Sequence, residues 1–183
     1  LKEEVVTIGR VVVRGQSLKE DPASSWTLGY QAGLQAPTPS IYDATQNLPE
    51  VDLLTGSLAF KVINTRGFAT MAPVRSVQLI DGMDNQLPGL NFSLGNFLTV
   101  SELDIQQLEV VAGANSPLYG PNAFNGVVKI STRSPFYHTG LSAMVKVGER
   151  NWREGALRWA QKFTNREGEP WLAWKMNFSL LTA

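Results

Sequence analysis

From Gly140 onward the chain alternates apolar with polar or small residues at a period of two, the pattern of a β-strand with unlike faces. In WLAWKMNFSL, Leu172, Trp174, Met176, Phe178 and Leu180 share one face, and Trp171, Ala173, Lys175, Asn177 and Ser179 share the other. GLSAMVKVG repeats the pattern, with Leu141, Ala143, Val145 and Val147 set against Ser142, Met144 and Lys146. EGALRWAQKF sets Leu157, Trp159 and Phe163 against Arg158 and Lys162, with Gln161 interrupting the apolar face. ERNWRE and TNREGEP are polar connections of hairpin length, so three antiparallel strands are predicted. These segments are close to the ~10 residues that cross a bilayer as a tilted strand, one face suiting lipid and the other a polar lumen. An ordinary antiparallel sheet with one buried face carries the same signal, and both readings stay open on this pattern alone.

The preceding residues follow a different rhythm. VVTIGRVVVRG is a β-branched, extended segment with Gly stops, and one short strand is predicted near SSWTLGY. In PSIYDATQNLPEV, Ser40 is placed to cap a helix of about two turns, with Asp43 in its first turn. Ile41, Ala44 and Leu48 lie on one face of that helix, and Pro49 stops it. Two alternating segments follow, with Phe60 and Val62 on one face of the first and Val77 and Leu79 on one face of the second. Each ends at a Gly, in Arg66-Gly67 and Asp81-Gly82, and both are expected in one sheet. The stretch MDNQLPGLNFSLGNF has too many turn residues for an element and too many apolar ones for a solvated loop, so Leu87, Leu90, Phe92, Leu94 and Phe97 are expected to rest against something. SELDIQQLEVVAG predicts a helical turn capped by Ser101 toward Asp104, then a strand through Leu108, Val110 and Val111 that ends at Gly113.

SPLYGPNAFNGVVKISTR reads as a corner. Ser116-Pro117 starts a helical turn, Gly120 supplies the positive φ that ends it, and Asn125-Gly126 turns the chain into a last strand of the same sheet. Taken alone, these residues specify only a bland α+β domain.

Composition narrows the function. The 183 residues carry 16 basic and 16 acidic side chains, which argues against a nucleic-acid footprint or a polybasic membrane patch. The absence of cysteine removes disulfides, thiolate metal sites and a Cys nucleophile. No apolar run approaches the ~18 residues of a spanning helix, and the first residues are not a secretory signal, so an exported protein is expected to have lost its signal already. His138 is the single histidine and has no partner of metal-ligating type, so no metal site or cofactor is expected. There is no Gly-x-Ser-x-Gly elbow, phosphate-binding loop or dinucleotide fingerprint, and an enzyme is not expected.

The ordered set INTRGF, VQLIDG, DIQQLEVVAG and LYGPNAFNGVVKISTRSP resembles the plug domain of TonB-dependent outer-membrane receptors, and the tail resembles the first strands of their barrel. LIDGMDNQLPGLNF followed by ISTRSPF is similar to receptors of the Bacteroidota type. Two positions depart from the family pattern: Ala112 stands where many members have Arg, and Ala114 where many have Pro. The resemblance implies an α+β plug, a small mixed β-sheet with short helices, followed by the first strands of a transmembrane antiparallel β-barrel. It divides the chain into a TonB-box-like segment at residues 1–10, a plug at 11–135 and the start of the barrel at 136–183. A barrel of roughly 22 strands of about 10 residues needs some 220 residues before loops are counted, so the barrel is expected to continue in a longer receptor.

The implied function is active import without chemistry, in the bacterial outer membrane, with the plug inside the barrel lumen facing the periplasm. The implied partners are a TonB-type energy transducer, the rest of the barrel, outer-membrane lipid and a nutrient such as an iron chelate, cobalamin, glycan or peptide. A surface lipoprotein is a further candidate partner, and nucleic acid is not. The transducer is expected to pull on Glu3, Glu4, Val5, Val6, Thr7 and Ile8, an extended segment able to pair edge to edge with a partner strand. The same residues could instead open the plug sheet. Ligand contacts carried over from the family fall on Thr70, Met71 and Ala72 and on Leu87, Leu90, Asn91 and Phe92. Phe92 would stack and Asn91 hydrogen-bond, whereas a core role is the alternative for Leu90 and Phe92. Arg66, Gly67, Asp81, Gly82, Glu109, Gly113, Tyr119, Gly120 and Gly126 are the plug's structural motif residues, with Arg66, Asp81 and Glu109 as salt-bridge candidates. The rival from another class is a soluble α+β binding or signalling module.

Overall fold

The structure is a computed structural model, which describes residues 7–8, 11–12, 24–30, 40–57, 60–97, 99–114, 116–148, 153–165 and 168–182. It contains two compact units. The first comprises Leu1–Thr99 and Gln106–Ser131, and the second Val100–Ile105 and Thr132–Ala183.

The first unit is built on a five-stranded mixed sheet. β3 (Ser25–Gly29), β8 (Ile105–Ala112), β9 (Gly126–Thr132), β6 (Ser76–Ile80) and β7 (Met83–Asp84) lie in that order. β3 runs antiparallel to β8 and β6 parallel to β9, so the strand after the Asn125-Gly126 turn is an inner strand. Burial on both faces explains why β8 and β9 are so apolar: Leu108, Val110, Val111, Ala112, Val127, Val128 and Ile130 are all buried. α1 (Ile41–Ala44) continues as a 3₁₀ turn at Thr45–Asn47, and the Ser40 hydroxyl accepts the Tyr42 amide at 3.3 Å, as its N-cap position requires. Ile41, Tyr42, Ala44, Thr45 and Leu48 are buried.

Several expectations need correction. The segment at β5 (Phe60–Thr65) does not join β6 in one sheet; it forms a separate antiparallel hairpin with β4 (Val51–Ser57). β4 carries adjacent Leu53 and Leu54, which break the alternation that would have marked it as a strand. Ser101 does not cap: the turn Glu102–Asp104 is 3₁₀ and receives no side-chain hydrogen bond from Ser101, whose buried hydroxyl has no protein partner. Of the apolar residues in the turn-rich stretch, Leu90 and Phe97 are 52% and 60% exposed. Two short strands at the N-terminus, β1 (Thr7–Ile8) and β2 (Val11–Val12), pair antiparallel, and Val13 lies outside the described residues.

The second unit is a meander of β10 (Gly140–Val147), β11 (Arg153–Thr164) and β12 (Pro170–Thr182). Cross-strand register places Leu141 opposite Trp159, Leu157 opposite Phe178, Trp159 opposite Met176 and Phe163 opposite Leu172. Because the side-chain period is two, these pairs form one continuous apolar face, with Trp159 and Trp174 in edge-to-face contact at 4.9 Å. The opposite register pairs Ser142 with Arg158, Lys146 with Glu154, Arg158 with Asn177 and Ala160 with Lys175, as the sequence alternation predicts.

Candidate functional site

The plug-like motifs, far apart in sequence, meet at one junction of the first unit. Thr65 at the end of β5 donates its hydroxyl to the Asn125 carbonyl, and the Gly113 amide donates to the same oxygen at 3.2 Å. Asn125 in turn donates its amide to the Arg75 carbonyl at 2.7 Å. A side chain at Gly126 would come within 2.9 Å of the Val111 carbonyl and 3.0 Å of Thr65 Oγ1, so β9 can enter the sheet only with glycine there. A side chain at Gly113, where φ is +96°, would strike the Arg66 guanidinium, 2.5 Å from Nη1. Arg66 has a left-handed backbone, with φ of 55°, and its Nε reaches Glu50 at 3.1 Å. Both partners are 43% exposed, so this ion pair adds little stability. Gly67 donates its amide to Asp52 at 3.0 Å, and Asp81 and Gly82, both at positive φ, make the β6–β7 turn, where the Asp81 amide donates to the Ile130 carbonyl at 2.9 Å.

Glu109 pairs with Lys129 at 3.3 Å across β8 and β9, and Lys129 Nζ stands 4.9 Å from the Tyr119 ring centre. Burial disfavours the Lys129 ammonium, but the Tyr119 hydroxyl and the Glu109 carboxylate outweigh it and hold its pKa above the ordinary lysine value. Tyr119, at the end of α2 (Ser116–Tyr119), packs on Val77, Val111, Ala123 and Val127. Gly120 ends the turn at φ of +89°. A Cβ there would meet nothing within 4 Å, so glycine is favoured by backbone conformation and not by lack of space.

The two loops expected to contact ligand are each tied to their own anchor. Buried Asn64 donates to the Thr70 carbonyl at 3.0 Å, and Thr70 Oγ1 accepts the Ala72 amide at 3.3 Å. Met71 lies over Gly56, where an added Cβ would be 2.5 Å from its terminal methyl. Thr70, Met71, Ala72, Leu90 and Asn91 are exposed, whereas Leu87 and Phe92 are half-buried. The Leu87 amide closes the second loop onto the Phe92 carbonyl at 3.1 Å, and Asn122 donates to Asn91 Oδ1 at 3.3 Å and Gln86 Oε1 at 3.1 Å. Asn91 thus presents an amide already oriented by the α2 corner.

The same loop docks on β5 through residues the motif reading did not single out. The Asn96 side chain accepts the Lys61 amide at 2.6 Å while its own amide donates to the Lys61 carbonyl at 3.1 Å, so Asn96 imitates one residue of a paired strand. The neighbouring Gly95 has φ of +56°, and its carbonyl accepts from buried Gln78 at 3.2 Å. An added Cβ at Gly95 would overlap the Lys61 carbonyl oxygen. The signal in the sequence was the Gly-Asn pair in LGNF, a turn dipeptide inside an otherwise apolar run.

In the second unit, Asp104 is the other residue that motif reading missed. Its carboxylate is fully buried and accepts from Arg158 Nε at 2.7 Å, Lys175 Nζ at 2.7 Å and Asn177 Nδ2 at 3.0 Å. Arg158, 1% exposed between buried Ala156 and Ala160, also donates to the carbonyls of His138 and Arg133. The polar face of the meander therefore turns Arg158, Lys175 and Asn177 toward one carboxylate. Of the expected pulling segment, Thr7 and Ile8 are described, in their ladder with Val12 and Val11; Glu3, Glu4, Val5 and Val6 lie outside the described residues.

The profile of the TonB-dependent Receptor Plug Domain family matches residues 17–127. The chain belongs to that family. The chain is 36% identical over 97 residues to the Heme/hemopexin utilization protein C of Haemophilus influenzae, a match covering 51% of this chain and 12% of that protein. Among solved structures, the chain is similar to the siderophore receptor PirA from Acinetobacter baumannii, at 18% identity and a TM-score of 0.59 over 86% of this chain and 24% of that one. It is also similar to the ferric yersiniabactin uptake receptor FyuA from Yersinia pestis, at 18% identity and a TM-score of 0.52 over 90% and 29%. These likenesses extend beyond the plug and show its fold together with early strands of a receptor barrel. The chain spans under a third of the length of these relatives. Among the described residues no helix is long and apolar enough to cross a membrane.

Proposed function

We propose that this chain is the plug and opening barrel strands of an outer-membrane, TonB-dependent transporter that binds an extracellular nutrient and imports it to the periplasm. The observation that carries the reading is the apolar face of the meander. Leu141, Val145, Met176, Phe178 and Leu180 are each at least 60% exposed, while Arg158 on the opposite face is buried and paired. A surface of that kind is unfavourable in water and matches the lipid-facing band of a transmembrane barrel. The corresponding division is residues 1–10 as handle, 11–135 as plug and 136–183 as barrel. The reading assigns binding and movement and no covalent chemistry.

An iron chelate is the substrate class favoured here, because the chain is similar to a siderophore receptor, a ferric yersiniabactin uptake receptor and a heme/hemopexin utilization protein. Exposed Thr70, Met71, Ala72, Leu90 and Asn91, with half-buried Phe92, are the proposed plug contacts. Residues 3–8 are the proposed site for an energy transducer, and the β1–β2 ladder supports an extended backbone at Thr7 and Ile8. The test is to express the full-length receptor in an outer-membrane host lacking its own iron receptors and to follow uptake of ferric siderophores and heme with and without the transducer. Transducer-dependent uptake is expected. A full-length protein that partitions into the soluble fraction would establish the soluble-module alternative instead.

A further inference from the structure

We propose that Asp104 is a fixed point of the plug, holding the start of β8 and the end of β9 on the barrel strands while other plug elements move. This rests on the transporter reading for the word barrel, but its physical core does not. The short segment Val100–Ile105 belongs to the same compact unit as the meander, although the chain on both sides of it belongs to the first unit. Its attachment is dense. The Asp104 carboxylate takes three donors from β11 and β12, and the Asp104 carbonyl accepts the Arg133 amide at 2.7 Å. Lys175 also donates to Thr132 Oγ1 at 2.6 Å and to the Arg133 carbonyl at 3.3 Å, so the last residue of β9 and the one after it are gripped by the cation that grips Asp104. One turn away Lys146 pairs with Glu102 at 2.6 Å and with Glu154 at 3.4 Å.

The chemistry makes this attachment all-or-none. Asp104 and Arg158 side chains are 1% and 2% exposed, and separating them leaves two buried charges without partners unless water replaces every contact together. Arg158 is fixed further by two carbonyls, and small Ala156 and Ala160 beside it leave room for the segment to approach the strand. β8 and β9 are adjacent inner strands of the five-stranded sheet, so the pinned ends belong to a pair buried on both sides. The β4–β5 hairpin lies outside that sheet and outside the pinned unit. A pull arriving from the N-terminal side would therefore release residues before Val100 first and stop at the buried acid.

Two measurements on the full-length receptor test this. In the first, hydrogen exchange is followed in detergent with sub-denaturing urea. The Arg133 amide and the amides of β8 are expected to stay protected after those of β4 and β5 have opened, and Asp104→Asn is expected to erase that order. Exchange of Arg133 and β8 together with or before β4 and β5 in the unmodified receptor would overturn the proposal, whatever the protein transports. In the second, Glu102→Cys and Lys146→Cys are joined by a short, reductant-cleavable bis-methanethiosulfonate linker. Energised uptake is expected to stay within about twofold of the same receptor after cleavage, about 0.4 kcal/mol at most. A loss beyond threefold that reductant restores would show that the segment must leave the strands, and would overturn the proposal. Absence of uptake from the unlinked receptor would instead count against the transporter reading and leave the exchange result to decide.

Discussion

Replacing Gly95 with alanine tests how the second ligand-side loop is held. Gly95 has φ of +56°, so any side chain carries strain of about 1 kcal/mol or more there. The added methyl would also overlap the Lys61 carbonyl oxygen and lie 2.9 Å from the Lys61 carbonyl carbon, both backbone atoms of a paired strand. The loop must then leave β5. It takes with it the two bonds between Asn96 and Lys61 and the Gly95 carbonyl that satisfies buried Gln78. At about 1 kcal/mol per lost bond, the substitution is expected to cost about 3–5 kcal/mol in all. The assay is urea unfolding of the plug in the full-length receptor, read by labelling a cysteine at Val62, a position 1% exposed beneath the docked loop. For a denaturant slope of about 1–3 kcal/mol/M, the labelling midpoint should fall by at least about 1 M. Gly89→Ala is the control, since Gly89 has φ of +92° in the same loop but nothing within 4 Å of an added Cβ. Equal midpoints for the two variants would refute the argument from close approach.

Deleting residues 3–8 should abolish energised uptake while leaving equilibrium ligand binding within about threefold, roughly 0.65 kcal/mol; normal uptake by the deletion would take the pulling role from that segment. Gly120→Val should cost about 1 kcal/mol through its backbone conformation alone, and an unchanged plug midpoint would show that the corner tolerates a β-branched residue at φ of +89°. Because the folded pKa of Lys129 is raised above its ordinary 10.5, its contribution is fully present below the unfolded value and is lost as pH rises through the folded one. A Lys129→Met variant should therefore show a flatter decline of plug stability in the alkaline range, checked by urea midpoints across that range; parallel declines would contradict it.

The elements governed by local chemistry were legible in the sequence. Ser40 as cap, the glycines that end β6, β8 and α2, and the two-residue period of β10–β12 each act within a few residues, and the structure contains each of them. What escaped was decided at long range. β5 pairs with β4, not with β6, because the Asp52–Gly67 bond and the cross-strand register close a hairpin that alternation in β4 did not announce. Asp104 looked like part of a helix start, and its partners stand 54, 71 and 73 residues further along the chain. Arg158 and Lys175 were legible as polar-face residues, but nothing local says that one carboxylate will answer both. For the ligand loops, exposure of Thr70, Met71, Ala72 and Asn91 agrees with an accessible role, whereas the burial of Gln78 and Asn64 beneath them belongs to packing that only the folded chain reveals.

The most direct test of the membrane assignment is a cysteine scan from Trp171 to Leu180 in the full-length protein, each position probed with a water-soluble and a lipid-confined reagent. Register places Leu172, Trp174, Met176, Phe178 and Leu180 on the apolar face, and Lys175 and Asn177 on the face that holds Asp104. The account predicts labelling with a period of two, the lipid-confined reagent reaching the Leu172 set and not the Lys175 set. Equal labelling of both sets by the water-soluble reagent would contradict it, leaving the strands as the edge of a soluble sheet.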